Sequence, residues 1–220
     1  MPKRIRDNMT DYFGSSFDRA KHVFHSPGFQ EIIDSAVNFF SVSPVYQLPP
    51  SSPFLDAGVY ALYYKGRFSV YQKLAALNSS DFIQPIYIGK AVPPGWRKAR
   101  LSRVKEFESL YGRLREHARS IQQVENLAIG DFYCRFVILE NEEASLIGIV
   151  EAELIRKFKP LWNSVVDGFG NHDPGSGRYN QRISEWDTLH PGRLWARKLT
   201  GGFIEIENIE RKVKEALMAL

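Results

Sequence analysis

Tyr60, Tyr87, Arg113, His117, Glu151 and Asn163 have the side-chain types needed to open a phosphate ester. Phosphodiester hydrolysis needs positive charge on the developing oxyanion, a positioned water and help for the leaving oxygen. Arg113 offers a planar fork that matches phosphate oxygens two at a time. Arg115 and Arg119 lie on the same segment and stay open for that role. Glu151 is a hard oxygen ligand, suited to Mg²⁺ (or Mn²⁺) that keeps most of its waters. No second carboxylate stands beside it, and Glu153, two residues on, points elsewhere on a helix. One metal ion per site is therefore expected.

Each of these residues also has a plain structural explanation. The tyrosines could be strand core, and Arg113 could simply pair with Glu116 or Glu108. His117 could be an exposed helix residue and Asn163 a turn residue after a helix.

The elements that must position these groups are legible from periodicity. Gly58-Val59-Tyr60 opens an aromatic, β-branched run over 58–64, and Tyr87-Ile88-Gly89 lies in a second run over 85–90, so both read as strands. A third strand is expected over 131–139, alternating around Phe132, Cys134, Phe136 and Ile138. Helical spacing predicts an amphipathic helix from Phe29 to Val42, a short helix over 69–78 and a helix over 106–124. In the last of these, Arg113 and His117 are four residues apart and stack on adjacent turns. A long helix over 142–158 carries Glu151; Pro160 stops it, with Asn163 just beyond. Residues 47–53 read as a stiff linker, and 167–193 as a long irregular loop of the functional kind. A strand or turn and a charged terminal helix follow from Phe203.

With 220 residues the chain is long enough for a real core. No apolar run approaches the roughly 18 residues of a membrane span, and the basic N-terminus has no apolar stretch behind it, so no secretory signal is expected. The single cysteine, Cys134, excludes an internal disulfide and a zinc cluster and points to a reducing cytoplasm. Charge is unevenly placed: residues 93–120 carry eight Lys/Arg against three Glu, and 121–165 carry four against seven Asp/Glu. A basic block of this kind suggests an anionic partner at a defined place.

In its order of motifs the chain resembles the GIY-YIG nuclease superfamily. The matching residues are Gly58, Val59, Tyr60; Tyr87, Ile88, Gly89; Arg113 and His117; Glu151 with Leu154-Ile155; and Asn163 after Pro160. Two expansions depart from the usual pattern: 27 positions separate Tyr60 from Tyr87, and 26 separate Tyr87 from Arg113. Both look like those of type II restriction endonucleases in the superfamily, and the subgroup cutting the palindrome CCGCGG is the closest resemblance.

The likeness implies an α+β fold, with a small three-stranded antiparallel sheet flanked by helices. A catalytic core over 55–165 would carry a basic insertion at about 91–109. An N-terminal arm and helix (1–54) and a C-terminal loop and helix extension (166–220) would complete one compact domain. It implies that Tyr60 helps deprotonate the attacking water, that Tyr87 bonds near the water or phosphate, and that Asn163 orients Glu151 or a metal water. A phenol of ordinary pKa near 10 does this only with help, from His117 or from a metal-bound hydroxide passing its proton through Tyr60.

The implied substrate is double-stranded DNA, and a palindrome suits a homodimer. A cognate DNA methyltransferase would act on the same site without stable contact, in a bacterial cytoplasm. Expected DNA contacts are Arg97, Lys98, Arg100, Arg103 and Lys105, with Arg178, Arg182 and Arg193 second; arginine reads guanine in the major groove. The rival readings are a structure-selective repair or mobile-element nuclease and a non-catalytic DNA-binding protein.

Overall fold

The computed structural model describes residues 18–55, 57–92 and 109–220. Its centre is β2 (Gly58–Tyr64), buried along its whole length. β3 (Tyr87–Ala91) pairs with one side of β2 and β4 (Phe132–Ile138) with the other, both antiparallel. A short β1 (Val45–Gln47) adds to the far side of β4, giving the order β1-β4-β2-β3. Among the described residues the sheet thus has four strands rather than the expected three. The extra one lies just before the segment read as a linker and shares only Gln47 with it: three residues behind Pro44 are too few to show alternation, and pairing with β4 fixes them.

β2 reads as continuously apolar because both faces of the sheet are covered. Tyr60, Leu62 and Tyr64 project into one core, and Val59, Ala61 and Tyr63 into the other. The first core is closed by α2 (Gln72–Leu77), α3 (Ser109–Gln122), α5 (Leu161–Ser164), α6 (Glu185–Leu189) and α7 (Ile206–Met218). The second is closed by α1 (Phe29–Val42) and α4 (Ile147–Phe158). Phe29–Val42 is the helix that the spacing predicts, inserting Ile33, Val37 and Phe40.

Residues 167–193 are less irregular than expected, since they hold α6 and a 3₁₀ turn at Ser176–Arg178. The turn preceding α4, Asn141–Leu146, is likewise 3₁₀. No helix among the described residues is long and apolar enough to cross a membrane. The basic insertion with Arg97, Lys98, Arg100, Arg103 and Lys105 lies outside the described residues.

Candidate active site

The glycines of the two triplets have steric reasons to be glycine. A β-carbon on Gly58 would strike the Val137 carbonyl of β4, and one on Gly89 would strike the Tyr60 ring. Tyr60 pairs with Gly89 across the β2–β3 ladder. Period-two alternation puts Tyr87 on the same face as Gly89, with its ring centroid 6.3 Å from that of Tyr60. Both tyrosines therefore enter the first core, beneath α3.

α3 delivers His117 and Arg113 to them. His117 is 3 % exposed, buried with the apolar face of α3 rather than left on an exposed side. Its Nε2 lies 2.6 Å from the Tyr60 hydroxyl. Burial, and then the charge of Arg113, push its pKa down to about 3, so the imidazole is neutral. Burial, reinforced by Tyr87, holds the Tyr60 pKa well above its ordinary value, with Arg113 acting in the opposite sense. Both groups are therefore uncharged, and the short bond between them joins a neutral phenol to a neutral imidazole. Tyr87 is raised too, first by burial.

Arg113 is half-buried, and its Nη1 donates to Glu116 Oε2 at 2.6 Å and to His172 Nε2 at 2.9 Å. Burial opposes its charge, but Tyr60, Glu116 and Tyr87 together hold its pKa above the ordinary value. Arg115 and Arg119 are exposed, so Arg113 is the arginine that acts on the tyrosines. The pairing with Glu116, anticipated as a purely structural role, coexists with that placement.

Glu151 approaches from α4, on the other side of the sheet. Its charge is near enough to raise the pKa of both Tyr60 and Tyr87. Its Oε2 lies 2.5 Å from Lys90 Nζ. Lys90 follows Gly89 in β3, and alternation turns it toward α4, away from the tyrosines. Glu153 instead pairs with Arg156 on its own helix.

Two expectations are corrected. Asn163 does not bond to Glu151: its Oδ1 accepts from Ile88 N and its Nδ2 donates to Ile88 O, both at 2.8 Å. β3 is an edge strand whose outward backbone groups need partners, and this amide satisfies one pair of them. Arg193 is not a surface cation that grips DNA. It is 1 % exposed and ion-paired to Asp187 at 2.6 Å, because the carboxylate and nearby carbonyls consume its donors. Arg178 and Arg182 are exposed. Arg182 lines a polar cleft of about 190 Å³ with Asn171, His172 and Gln181.

Lys90, Phe169 and His172 are site neighbours that sequence reasoning missed. The Phe169 ring stacks on His117 (4.7 Å, 19°) and meets Tyr87 edge-on (4.9 Å, 76°). Lys90 had a signal, standing directly after Tyr87-Ile88-Gly89; the two loop residues had only their place in a long connection.

Paired tyrosines on adjacent antiparallel strands, with a helix arginine and histidine over them and a glutamate from the opposite helix, define a GIY-YIG nuclease site. In agreement, a family model for the Eco29kI GIY-YIG domain matches residues 52–217. The chain belongs to that family of restriction-type nucleases, and its substrate is DNA. The match runs past Asn163 to include the loop, α6 and all but the last residue of α7. No curated protein gives a match.

Proposed function

We propose that the protein is a type II restriction endonuclease that hydrolyses double-stranded DNA at a short GC-rich palindrome, CCGCGG, as a homodimer with one divalent ion per site. The observation that carries the catalytic reading is the Tyr60–His117 hydrogen bond beside Arg113. The palindrome is supported by family membership.

Arg113 binds the scissile phosphate and stabilises its developing charge. Tyr60 is neutral, so it accepts the proton of the attacking water only while passing its own phenolic proton to His117 Nε2. In the free protein His117 is a poor acceptor, because burial and Arg113 both disfavour imidazolium. A bound phosphodiester offsets the charge of Arg113 and raises the proton affinity of His117 when it is needed. Tyr87 donates to the phosphate or the water. Lys90 counters the charge of Glu151 until DNA and the ion arrive.

The donor set fits Mg²⁺. Among the described residues no cluster of three His, Cys, Asp or Glu could hold a metal, and Glu151 has one oxygen on Lys90, so the ion would keep most of its waters, as Mg²⁺ prefers. Held by Glu151, it would stabilise charge on the phosphate and the leaving oxygen.

The test is incubation with unmethylated plasmid DNA, with Mg²⁺ or with chelator, followed by sequencing of the ends. Discrete Mg²⁺-dependent fragments ending at one palindrome are expected. Glu151→Ala should abolish cleavage while sparing DNA binding; nicking that survives in this variant would sink the metal assignment.

A further inference from the structure

Arg193 has every guanidinium donor spent inside the protein. Nε and Nη2 donate to the two carboxylate oxygens of Asp187 at 2.6 and 2.7 Å. Nη2 also donates to the Gly168 carbonyl at 2.8 Å. Nη1 donates to the Phe169 and Asn171 carbonyls at 3.0 and 3.2 Å. The rings of Trp186 and Trp195 lie 4.5 and 4.7 Å from the guanidinium carbon. Arginine has five N–H donors, and all are satisfied here.

The three carbonyls belong to one short stretch, 168–171, and its neighbouring side chains reach the nuclease site. Phe169 stacks on His117 and meets Tyr87 edge-on. His172 accepts from Arg113 Nη1. A buried ion pair is a costly way to gain stability alone, since apolar residues of similar volume do as well or better. What the guanidinium fork adds is orientation: it ties together the carbonyls of Gly168, Phe169 and Asn171, of which Gly168 alone has a backbone partner as well, the Asn171 amide. Gly168, at φ +113, gives the chain the turn that brings these carbonyls together.

Resting on the nuclease reading above, we infer that Arg193 is a positioning residue of that site, holding the 168–172 loop so that Phe169 and His172 set the orientation of His117, Tyr87 and Arg113. It touches no reacting atom. Its effect passes through the loop to the alignment of Tyr60 with His117 and of Arg113 with the phosphate, where a misplacement of about 1 Å can cost roughly 10²-fold in rate.

The test is single-turnover cleavage of duplex DNA with protein in excess, comparing wild type, Arg193→Lys and Phe169→Leu, with DNA affinity measured in chelator. Lysine keeps the charge opposite Asp187 but cannot bond both carboxylate oxygens and all three carbonyls. Leucine keeps an apolar filling but not the stacked ring. The expected result for both variants is a cleavage rate constant lowered roughly 30- to 100-fold at full amplitude, with DNA affinity within about threefold of wild type. A loss of stability alone would instead reduce the amplitude, the fraction of active protein, and leave the rate constant of the remainder unchanged; that pattern overturns the inference. A rate within about threefold of wild type at full amplitude also overturns it. Should Arg193→Lys fold poorly, Phe169→Leu decides by the same two readouts. A wild-type protein that cuts no DNA overturns the nuclease reading itself, and this inference with it.

Discussion

Gly89 stands opposite Tyr60 in the β2–β3 ladder, and the Tyr60 ring occupies the space a β-carbon would need. Such an atom would lie 2.5 Å from the Tyr60 hydroxyl oxygen and 2.6 Å from Cζ. Tyr60 is 1 % exposed and bonded to His117, so its ring has nowhere cheap to go. Gly89→Ala should push the hydroxyl off His117 and lower the cleavage rate constant by about 10²-fold. The accompanying overpacking should cost about 1–3 kcal/mol of stability. Single-turnover kinetics and denaturant unfolding check both; cleavage at the wild-type rate would mean that Tyr60 moves aside freely and its placement does not matter.

Lys90 and Glu151 make the second relationship with a measurable consequence. The pair is partly exposed, with side chains 41 % and 18 % accessible, so screening limits it to about 1 kcal/mol. A cation bound by Glu151 must displace that interaction. Lys90→Met should therefore lower the Mg²⁺ concentration for half-maximal cleavage by roughly fivefold, which is what about 1 kcal/mol represents. Titration of cleavage rate against Mg²⁺ measures it. An unchanged or higher requirement would show that Lys90 does not compete for the carboxylate.

Much of this site is legible in the sequence because its members lie on regular elements. The triplets mark two strands by their aromatic and β-branched runs, and the spacing of Arg113 and His117 puts them on one helix side whatever lies above it. What periodicity cannot give is which groups meet across long separations. His117 is buried because Phe169, from a loop without repeating pattern, covers it. Arg193 reads as a surface cation until Asp187 and three carbonyls are seen to surround it. The role of Asn163 depends on β3 being a sheet edge, which the strand order decides. β1 is too short to show alternation and is specified by its partner, with Tyr46 opposite Cys134.

The clamp on that edge is the third test. With Asn163 removed, the outward amide and carbonyl of Ile88 lose both partners, and part-buried backbone groups left unbonded cost about 1–3 kcal/mol. Asn163→Leu should lower Tm and speed hydrogen exchange of the Ile88 amide specifically, because this edge of β3 would open locally. Exchange at Ile88 no faster than in the wild type would show that some other group holds the strand.

His117 and His190 make folding sensitive to acid. Both are buried and neutral, each with its pKa lowered to about 3, first by burial and then by Arg113 for His117 and Arg193 for His190. In the unfolded chain a histidine takes up its proton near pH 6.5. Above that pH both states are neutral and neither residue makes stability depend on pH. Below it the unfolded chain binds a proton that the folded protein refuses, so stability falls as pH falls, by about 1 kcal/mol per pH unit for each residue down to about pH 3. Urea unfolding between pH 7.5 and 4.5 should show a flat region followed by a decline. Carboxylates add their own acid dependence in the lower part of that range, so the informative quantity is a difference. His117→Gln removes one of the two histidines while retaining an amide that can accept from Tyr60, and it should shed about 1 kcal/mol per pH unit of the decline between pH 6 and 4.5. A variant whose profile parallels the wild type would mean that His117 takes up a proton in the folded protein as readily as in the unfolded chain, and the imidazolium would then donate to Tyr60.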